Sequence, residues 1–365
     1  MSNQKEQLAE AFGRSTDPLS EHEPIYRELD IDPFELWLDE EIRARGITEG
    51  SANNYVVAAR QFKEYMWSVH DRHPACPTVE HAKGFAQWLR DEEGNNNTTV
   101  SKKMMFLTQA FRYFGNDAAF PNEADFNPFA SARSKIDLTP PDKKPVHRVT
   151  EDDLKRVISG VTNIRDRAIM LMQLKLGLRS GELCNIKLEE IHIRDDELRR
   201  HYDDMGSSQH LNGRENAVYI PHNRAGNKSR RPRTLPLDDE LRGVLLRWLL
   251  IRHDVSEPWL FLSYTKAHQL ESTVINDMWK EHWHPEFAET PRHRAVTAHF
   301  GRHYFTTFWR VQKDAPEELV KYMRGDVVSG TRTMANSGDA IHSYIHTYYE
   351  DIEDLYSDEI WKLNL

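Results

Sequence analysis

A mainly α-helical chain with one small β-sheet, divided into two domains, is the fold class this sequence predicts, and three observations predict it. Apolar residues recur at spacings of three and four through both halves of the chain. Strand-like segments are confined to 191–193, 217–220 and 233–237. Between the halves, the stretch from Asn127 to Arg148, containing Thr139-Pro140-Pro141-Asp142-Lys143-Lys144-Pro145, breaks the helical period with prolines and charge, as a linker does. The length agrees: 365 residues at ~100 to 200 per domain make two domains, each large enough for its own core.

The elements follow in order. Phe34, Leu36, Leu38 and Ile42 open a first helix, and Tyr55, Val56, Ala59, Phe62, Tyr65 and Met66 mark the next. Thr78 is a natural N-cap for a third over Val79–Leu89, although His81 at the third position leaves the expected capping box incomplete. Thr98 or Thr99 starts a fourth through Met105, Leu107, Ala110, Phe111 and Phe114. The expected organisation is an acidic tail over 1–31, a helical bundle over 32–130, a linker over 131–149 and a second domain over 150–365. There, Thr150 caps a helix carrying Leu154, Val157 and Ile158. A second helix runs from Arg165 to Leu176 and ends at Gly177. Further helices are expected over Asp238–Arg252, Ser272–Trp283, His299–Lys313 and Glu317–Met323, and an amphipathic segment closes the chain over Asp351–Leu365.

Composition excludes several classes. With 39% hydrophobic and 29% charged residues, 17 Gly and 17 Pro, the chain is neither fibrous nor disordered. Two cysteines, Cys76 and Cys184, are too few for a disulfide framework or a Cys-rich zinc site, which suits a reducing, cytoplasmic setting. Met1–Glu10 is polar with no apolar stretch behind it, and the longest apolar run, Gly243–Ile251, is interrupted by Arg247, so neither a secretory leader nor a membrane span is expected. The net charge of −10 argues against a nucleic-acid partner until its distribution is considered. Residues 1–40 hold three basic and eleven acidic side chains and so carry eight of those ten charges, while Arg224, Lys228, Arg230, Arg231 and Arg233 fall in an acid-free stretch of ten residues.

Three clusters in the second domain bear chemistry. Gly177-Leu178-Arg179-Ser180-Gly181-Glu182-Leu183 sets an arginine in a glycine-bracketed turn opening a helix expected to run to Leu188, where backbone donors and a guanidinium suit a phosphate. On this fragment alone an ordinary Arg179–Glu182 surface pair fits as well. Thr297-Ala298-His299-Phe300-Gly301-Arg302-His303 places His299 and Arg302 on one helix face, a spacing that surface side chains also show. Ile341-His342-Ser343-Tyr344-Ile345-His346-Thr347-Tyr348-Tyr349 is rich in tyrosines, most of which serve packing in such a run. A phenol with pKa ~10 becomes a nucleophile only beside cations or a base, which two arginines and a histidine supply.

In this order, the clusters resemble the tyrosine recombinase family, the phage-integrase and Xer-like site-specific recombinases, over about Pro33 to Tyr356. The family's G-L-R-x-x-E-L motif corresponds to the segment holding Arg179, its H-x-x-R-H motif to His299, Arg302 and His303, and its Y-x-H to Tyr344-Ile345-His346. A lysine in a β-hairpin corresponds to Lys228 in Gly226-Asn227-Lys228-Ser229-Arg230, with Arg224 competing for the position. The departure is Arg324-Gly325-Asp326, where relatives show Leu-Gly-His or a Trp for that His: Asp326 puts an acceptor where a donor to phosphate is usual. Either the donor is dispensable here or another residue such as His342 or Arg324 supplies it, and the long spacing to Tyr344 implies an insertion around Ser329–Asp339.

The resemblance implies an N-terminal SAM-like helical bundle and a C-terminal tyrosine-recombinase catalytic domain that clamp double-stranded DNA, with Asn53, Asn54, Arg60, Lys63, Lys102 and Lys103 facing its backbone. It implies a site-specific recombinase or integrase working through a 3′-phosphotyrosyl intermediate, with catalytic residues Arg179, Lys228, His299, Arg302 and Tyr344, no cofactor, and a homotetramer on DNA. The alternatives are a relative that binds DNA without cutting it and a type IB topoisomerase sharing the chemistry. A metal-dependent nuclease would need ligands such as His282, His284 and His293, but no paired acids lie at suitable spacing.

Overall fold

Side-chain caps set where helices of the first half begin. The computed structural model describes residues 2–326 and 348–365, and the chain divides into two units, Met1–Lys143 and Lys144–Leu365. The first holds α1 (Ser2–Ala11), α2 (Glu23–Glu28), α3 (Pro33–Trp37, continuing as a wide π-type turn to Arg43), α4 (Glu49–His70), α5 (Val79–Asp91), α6 (Asn97–Asn116) and α7 (Pro128–Arg133). Asp32 caps α3, and Thr78 caps α5 by accepting from the His81 amide. His81 returns the bond: its Nδ1 accepts from the Thr78 amide at 3.1 Å, so the capping box that the sequence rule left incomplete is closed by an imidazole. The cap of α6 is Asn96, two or three residues before the expected threonines. Its core is a cluster of edge-on aromatic rings, Phe34, Phe62, Phe85, Phe111, Phe114 and Phe129, all fully buried.

Residues 1–31, read as an acidic tail, include a packed segment. Leu19 and Tyr26 are buried against Ala75 and Cys76, Tyr26 stacks on His73, and Arg72 clamps both carboxylate oxygens of Asp17 at 2.6 and 2.5 Å. Two apolar side chains among the acids and the Asp17 carboxylate dock the segment. The start of the expected linker is also structured: α7 buries Phe129 and Ala132, and Arg90 and Asn97 hold the carbonyls of Asp137 and Thr139.

The second unit comprises α8 (Glu151–Gly160), α9 (Ile164–Leu176), α10 (Ser180–Cys184), β1 (Ile191–His192), α11 (Asp196–His201), β2 (Ala217–Ile220), β3 (Arg233–Pro236), α12 (Asp239–Ile251), α13 (Ser272–Phe287), α14 (His299–Thr307, widening to a π-type turn through Gln312), α15 (Glu317–Arg324) and α16 (Glu350–Glu359). The three strands form one antiparallel sheet in the order β1-β2-β3, with Val218 opposite both Ile191 and Leu235 and Ile220 opposite Arg233. Helix α9 lies at the centre: from Ala168 to Leu176 no residue reaches solvent appreciably, because α12 and α14 pack along it. Thr150 and Asp153 close a capping box on α8, and Gly177, at φ +64°, ends α9. Helix α10 stops at Cys184 instead of running to Leu188, because the backbone beyond it pairs with another segment: Leu260 N–H donates to Ile186 O at 2.8 Å and Leu188 N–H to Pro258 O at 2.7 Å.

The closing segment packs on its own unit. Ile352, Tyr356, Ile360, Trp361 and Leu363 are buried in its core. Buried Lys175 anchors them, donating to Asp238 Oδ2 at 2.7 Å and to Trp361 O at 2.9 Å, with Glu240 at 3.0 Å. Glu240 in turn accepts from the amides of Leu363 and Leu365. No helix among the described residues is long and apolar enough to cross a membrane.

Candidate functional site

The turn from α9 into α10 places Arg179. Its amide donates to Glu182 Oε2 at 2.9 Å, closing a capping box across the first turn of α10, and its Nη1 lies 3.3 Å from Glu182 Oε1. Glu182 is itself inaccessible to solvent and accepts from Arg233 Nη2 on β3 at 3.0 Å. Burial alone would push this carboxyl upward, but Arg233, the Arg179 amide and Arg302 together hold it below the usual carboxylate range. The guanidinium of Arg179 is thus propped from beneath by a buried anion while its outer edge remains open.

Arg302 reaches the same place from α14. Gly301 makes this possible: a Cβ there would stand 2.9 Å from Gln173 Cβ, so only glycine lets α14 lie directly on α9. Gln173, fully buried, ties the layers further, accepting from Trp279 Nε1 at 2.6 Å and donating to Ser180 Oγ at 3.3 Å. The Arg302 guanidinium then donates to Gly177 O at 2.8 Å and to Arg324 O at 3.0 Å. Burial, and then the nearby Arg179, press its pKa down to about 9, a direction that Asp326 and Glu182 oppose; at neutral pH it is charged.

Both arginines meet on one atom. Asp326 Oδ1 lies 2.8 Å from Arg302 Nη2 and 3.2 Å from Arg179 Nη2, while Asp326 Oδ2 lies 2.9 Å from Arg324 Nε. The residue that departs from the family pattern is therefore the one on which these cations converge. His299 stands one helical turn before Arg302 on α14, with its ring 4.7 Å from that of His303. Although much of His299 is open to solvent, crowding by protein atoms and then His303, Arg302, Arg179 and Arg324 hold its pKa below the ordinary histidine value, which favours the neutral, proton-accepting form.

The loop between β2 and β3 separates the two hairpin candidates. Arg224 is committed to structure, with both terminal nitrogens on Glu190 at 2.8 and 2.7 Å and a further bond to Asn185 O. Asn185 holds Ala225 O at 2.7 Å, and Gly226 sits so close to α10 that a Cβ on Gly181 would meet its carbonyl oxygen at 2.6 Å. Lys228, beyond this anchored turn, is exposed and has no ion pair among the described residues. The next residues return to the arginine cluster, since Arg230 N–H donates to Gly325 O at 3.0 Å. Tyr344, with His342, His346 and the expected insertion around Ser329–Asp339, lies outside the described residues.

The sequence reading missed Arg233 as a site-supporting residue, treating it as part of a basic strand; the available signal was a charged residue inside a strand whose other positions are uncharged. The basic and amide side chains named in the first unit differ in their surroundings. Lys63 is paired with Asp32 at 2.6 Å and Lys103 donates to Asn95, whereas Asn53, Asn54, Arg60 and Lys102 are exposed. Among the described residues no group of three or more His, Cys, Asp or Glu side chains is placed to hold a metal ion.

Residues 147–325 match the model of the phage integrase family. The tyrosine recombinase XerA of Pyrococcus horikoshii is 24% identical over 244 residues, 67% of this chain and 68% of that protein. A lambda integrase tetramer bound to a Holliday junction superposes with a TM-score of 0.59 at 14% identity, covering 86% of this chain and 84% of the other. The integrase of transposon Tn1549 in complex with circular intermediate DNA gives 0.58 at 18% identity, with 89% and 99% covered. At these identities the two structures establish a shared fold.

Proposed function

The chain belongs, through residues 147–325, to the phage integrase family, and on that premise we propose that it is a site-specific DNA recombinase that cuts and rejoins double-stranded DNA through a covalent tyrosine link. The observation that carries the reading is the convergence of Arg179 and Arg302 on a single anionic oxygen, at 3.2 and 2.8 Å, from two helices far apart in sequence. Two guanidiniums so arranged suit the non-bridging oxygens of a phosphodiester and the extra negative charge that develops at a pentavalent phosphorus.

In the proposed reaction the Tyr344 hydroxyl attacks the scissile phosphorus, forming an O–P bond as the bond to the 5′ oxygen breaks. The phenolic proton goes to His299, and Lys228 delivers a proton to the departing 5′ oxygen. The product is a 3′-phosphotyrosyl link with a free 5′-hydroxyl. Attack by a 5′-hydroxyl from a second duplex reverses these transfers and reseals a new junction, so the bond energy is conserved in the chain. The sign of the His299 shift supports its role, since a base must be neutral before it can accept a proton. Exchange between two duplexes calls for four protomers on DNA, and the bundle of the first unit is assigned to DNA binding, with Arg60 and Lys102 toward the phosphate backbone.

The test is a pool of nicked suicide substrates of varied sequence. Wild type accumulates a covalent adduct, Tyr344→Phe forms none while retaining DNA binding, and sequencing of the trapped strand ends identifies the site. Asp326 in the arginine cluster favours a second reading, a relative that binds DNA without cutting it. Absence of adduct from wild type on a substrate that it binds tightly would establish that reading instead.

A further inference from the structure

Asp326 is held in place by its backbone. Helix α15 ends in a Schellman motif: Gly325, at φ +67°, donates its N–H to Tyr322 O at 2.8 Å, and the Asp326 N–H returns to Lys321 O at 3.0 Å. Gly325 is required twice, by its left-handed conformation and because a Cβ would overlap Arg233 Nη1 and stand 2.9 Å from Ser229 Cβ. The 229–230 segment braces the same turn through the bond from Arg230 N–H to Gly325 O. The first side chain after this braced turn is therefore delivered into the arginine cluster, and here it is a carboxylate.

That carboxylate is outnumbered. Arg179, Arg302, Arg324 and Arg233 bring four positive charges to the cluster, and Glu182 and Asp326 bring two negative ones. Glu182 is sealed beneath, whereas the Asp326 side chain is 28% exposed and is the anion able to leave. Arg324 is the loosest of its partners: its Nε approaches Oδ2 at 2.9 Å but off the direction of the N–H, which is buried and has no hydrogen bond among the described residues. A larger tetrahedral anion placed between the arginines offers an oxygen to that donor, and an excess of two positive charges suits an anion that gains charge during reaction better than a fixed monoanion.

We propose that Arg179, Arg302 and Arg324 form a three-arginine phosphate site of which Arg324 is the third ligand, and that Asp326 is its resident counter-anion, displaced when phosphate enters. The inference deepens the recombinase reading and rests on it for the identity of the phosphate as a DNA diester. In the absence of DNA the site is blocked by its own aspartate. Binding then requires the Asp326 side chain to swing out, which needs rotation about χ1 and no change in the Schellman turn.

The experiment measures inorganic phosphate binding to the full chain by calorimetry, with folding checked by thermal melting. Asp326→Asn removes the charge at constant shape and is expected to bind phosphate at least tenfold more tightly than wild type. Asp326→Glu keeps the charge and is expected to remain as weak as wild type. Arg324→Gln placed in the Asp326→Asn background is expected to lose most of the gain. Should Asp326→Asn fail to fold, Asp326→Ser serves the same comparison. The proposal is overturned if the neutral variants bind phosphate no better than wild type, if Asp326→Glu binds as well as Asp326→Asn, or if Arg324→Gln changes nothing. These outcomes are independent of strand cleavage: failure of adduct formation in the suicide-substrate assay removes the recombinase reading and leaves the phosphate result standing.

Discussion

Glu182 and Arg233 meet at 3.0 Å with neither side chain reached by solvent. This pair is the pedestal of the site, because Glu182 also caps α10 through the Arg179 amide and because Arg233 donates from Nε to Met323 O at 2.7 Å, next to the turn that aims Asp326. Removing Arg233 leaves Glu182 buried with only the Arg179 amide and a 3.3 Å contact to Arg179 Nη1, so Arg233→Met is expected to cost about 3 kcal/mol. Urea unfolding of the full chain measures it, and a double variant Glu182→Leu/Arg233→Met should recover a large part of the loss.

The same carboxyl gives a pH dependence. Because the folded-state pKa of Glu182 lies below its unfolded value, its contribution to stability is complete above the ordinary glutamate value of ~4.3 and is lost as pH falls through the lower folded value. The difference in urea midpoint between wild type and Glu182→Gln is therefore expected to be constant from neutral pH down to about 5 and to narrow in more acidic solution. A difference that widened on acidification would contradict the sign.

His299 supplies an activity profile. If its neutral form accepts the phenolic proton, adduct formation rises with pH through a value below the ordinary histidine pKa and is already near its plateau at neutral pH. Since His303 helps to hold that pKa down, His303→Gln should move the rising limb toward higher pH, and His299→Ala should remove it. Rates on the suicide substrate between pH 5 and about 8 are the measurement.

Lys228 and Arg224 part company in a paired experiment. Lys228→Ala alters an exposed side chain and is expected to change stability by less than about 0.5 kcal/mol while slowing cleavage. A substrate whose leaving 5′ oxygen is replaced by sulfur should restore its rate, since a thiolate leaves without protonation. Arg224→Ala should instead destabilise the chain by about 2 kcal/mol or more, by stranding Glu190, which is only 5% exposed, and should show no sulfur rescue.

Lys175 offers a further variant to check. Lys175→Met leaves Asp238 and Glu240 facing each other without their cation and frees the Trp361 carbonyl. The expected cost is about 3 to 5 kcal/mol, accompanied by earlier proteolytic cleavage within the last residues than elsewhere in the chain.

Much of this architecture was legible in the chain because it is encoded locally. Thr150, Gly177 and the three short strands announce themselves through capping chemistry, backbone freedom and β-propensity, and the structure places them within a residue or two of expectation. The misses have equally specific causes. His81 closes a capping box because an imidazole nitrogen accepts as a carboxylate does, a possibility outside the Glu/Gln pattern. Helix α10 ends early because residues 258–260 claim its next backbone groups. Arg233 was hidden for a different reason: its role exists only where β3, α15 and the α9–α10 turn meet, and no neighbouring residue in sequence reports that meeting. Asp326 stood out as a departure, but its contact with both arginines depends on the same meeting.

Gly301 resting on Gln173 has a consequence for whatever the arginines hold. Because two helix backbones in contact set the interval between α9 and α14, the spread of the guanidiniums is inherited from main-chain geometry and not selected afresh by flexible side chains. An incoming ion meets a spacing fixed before it arrives, so the work of bringing the two helices together is already done when the first bond to it forms.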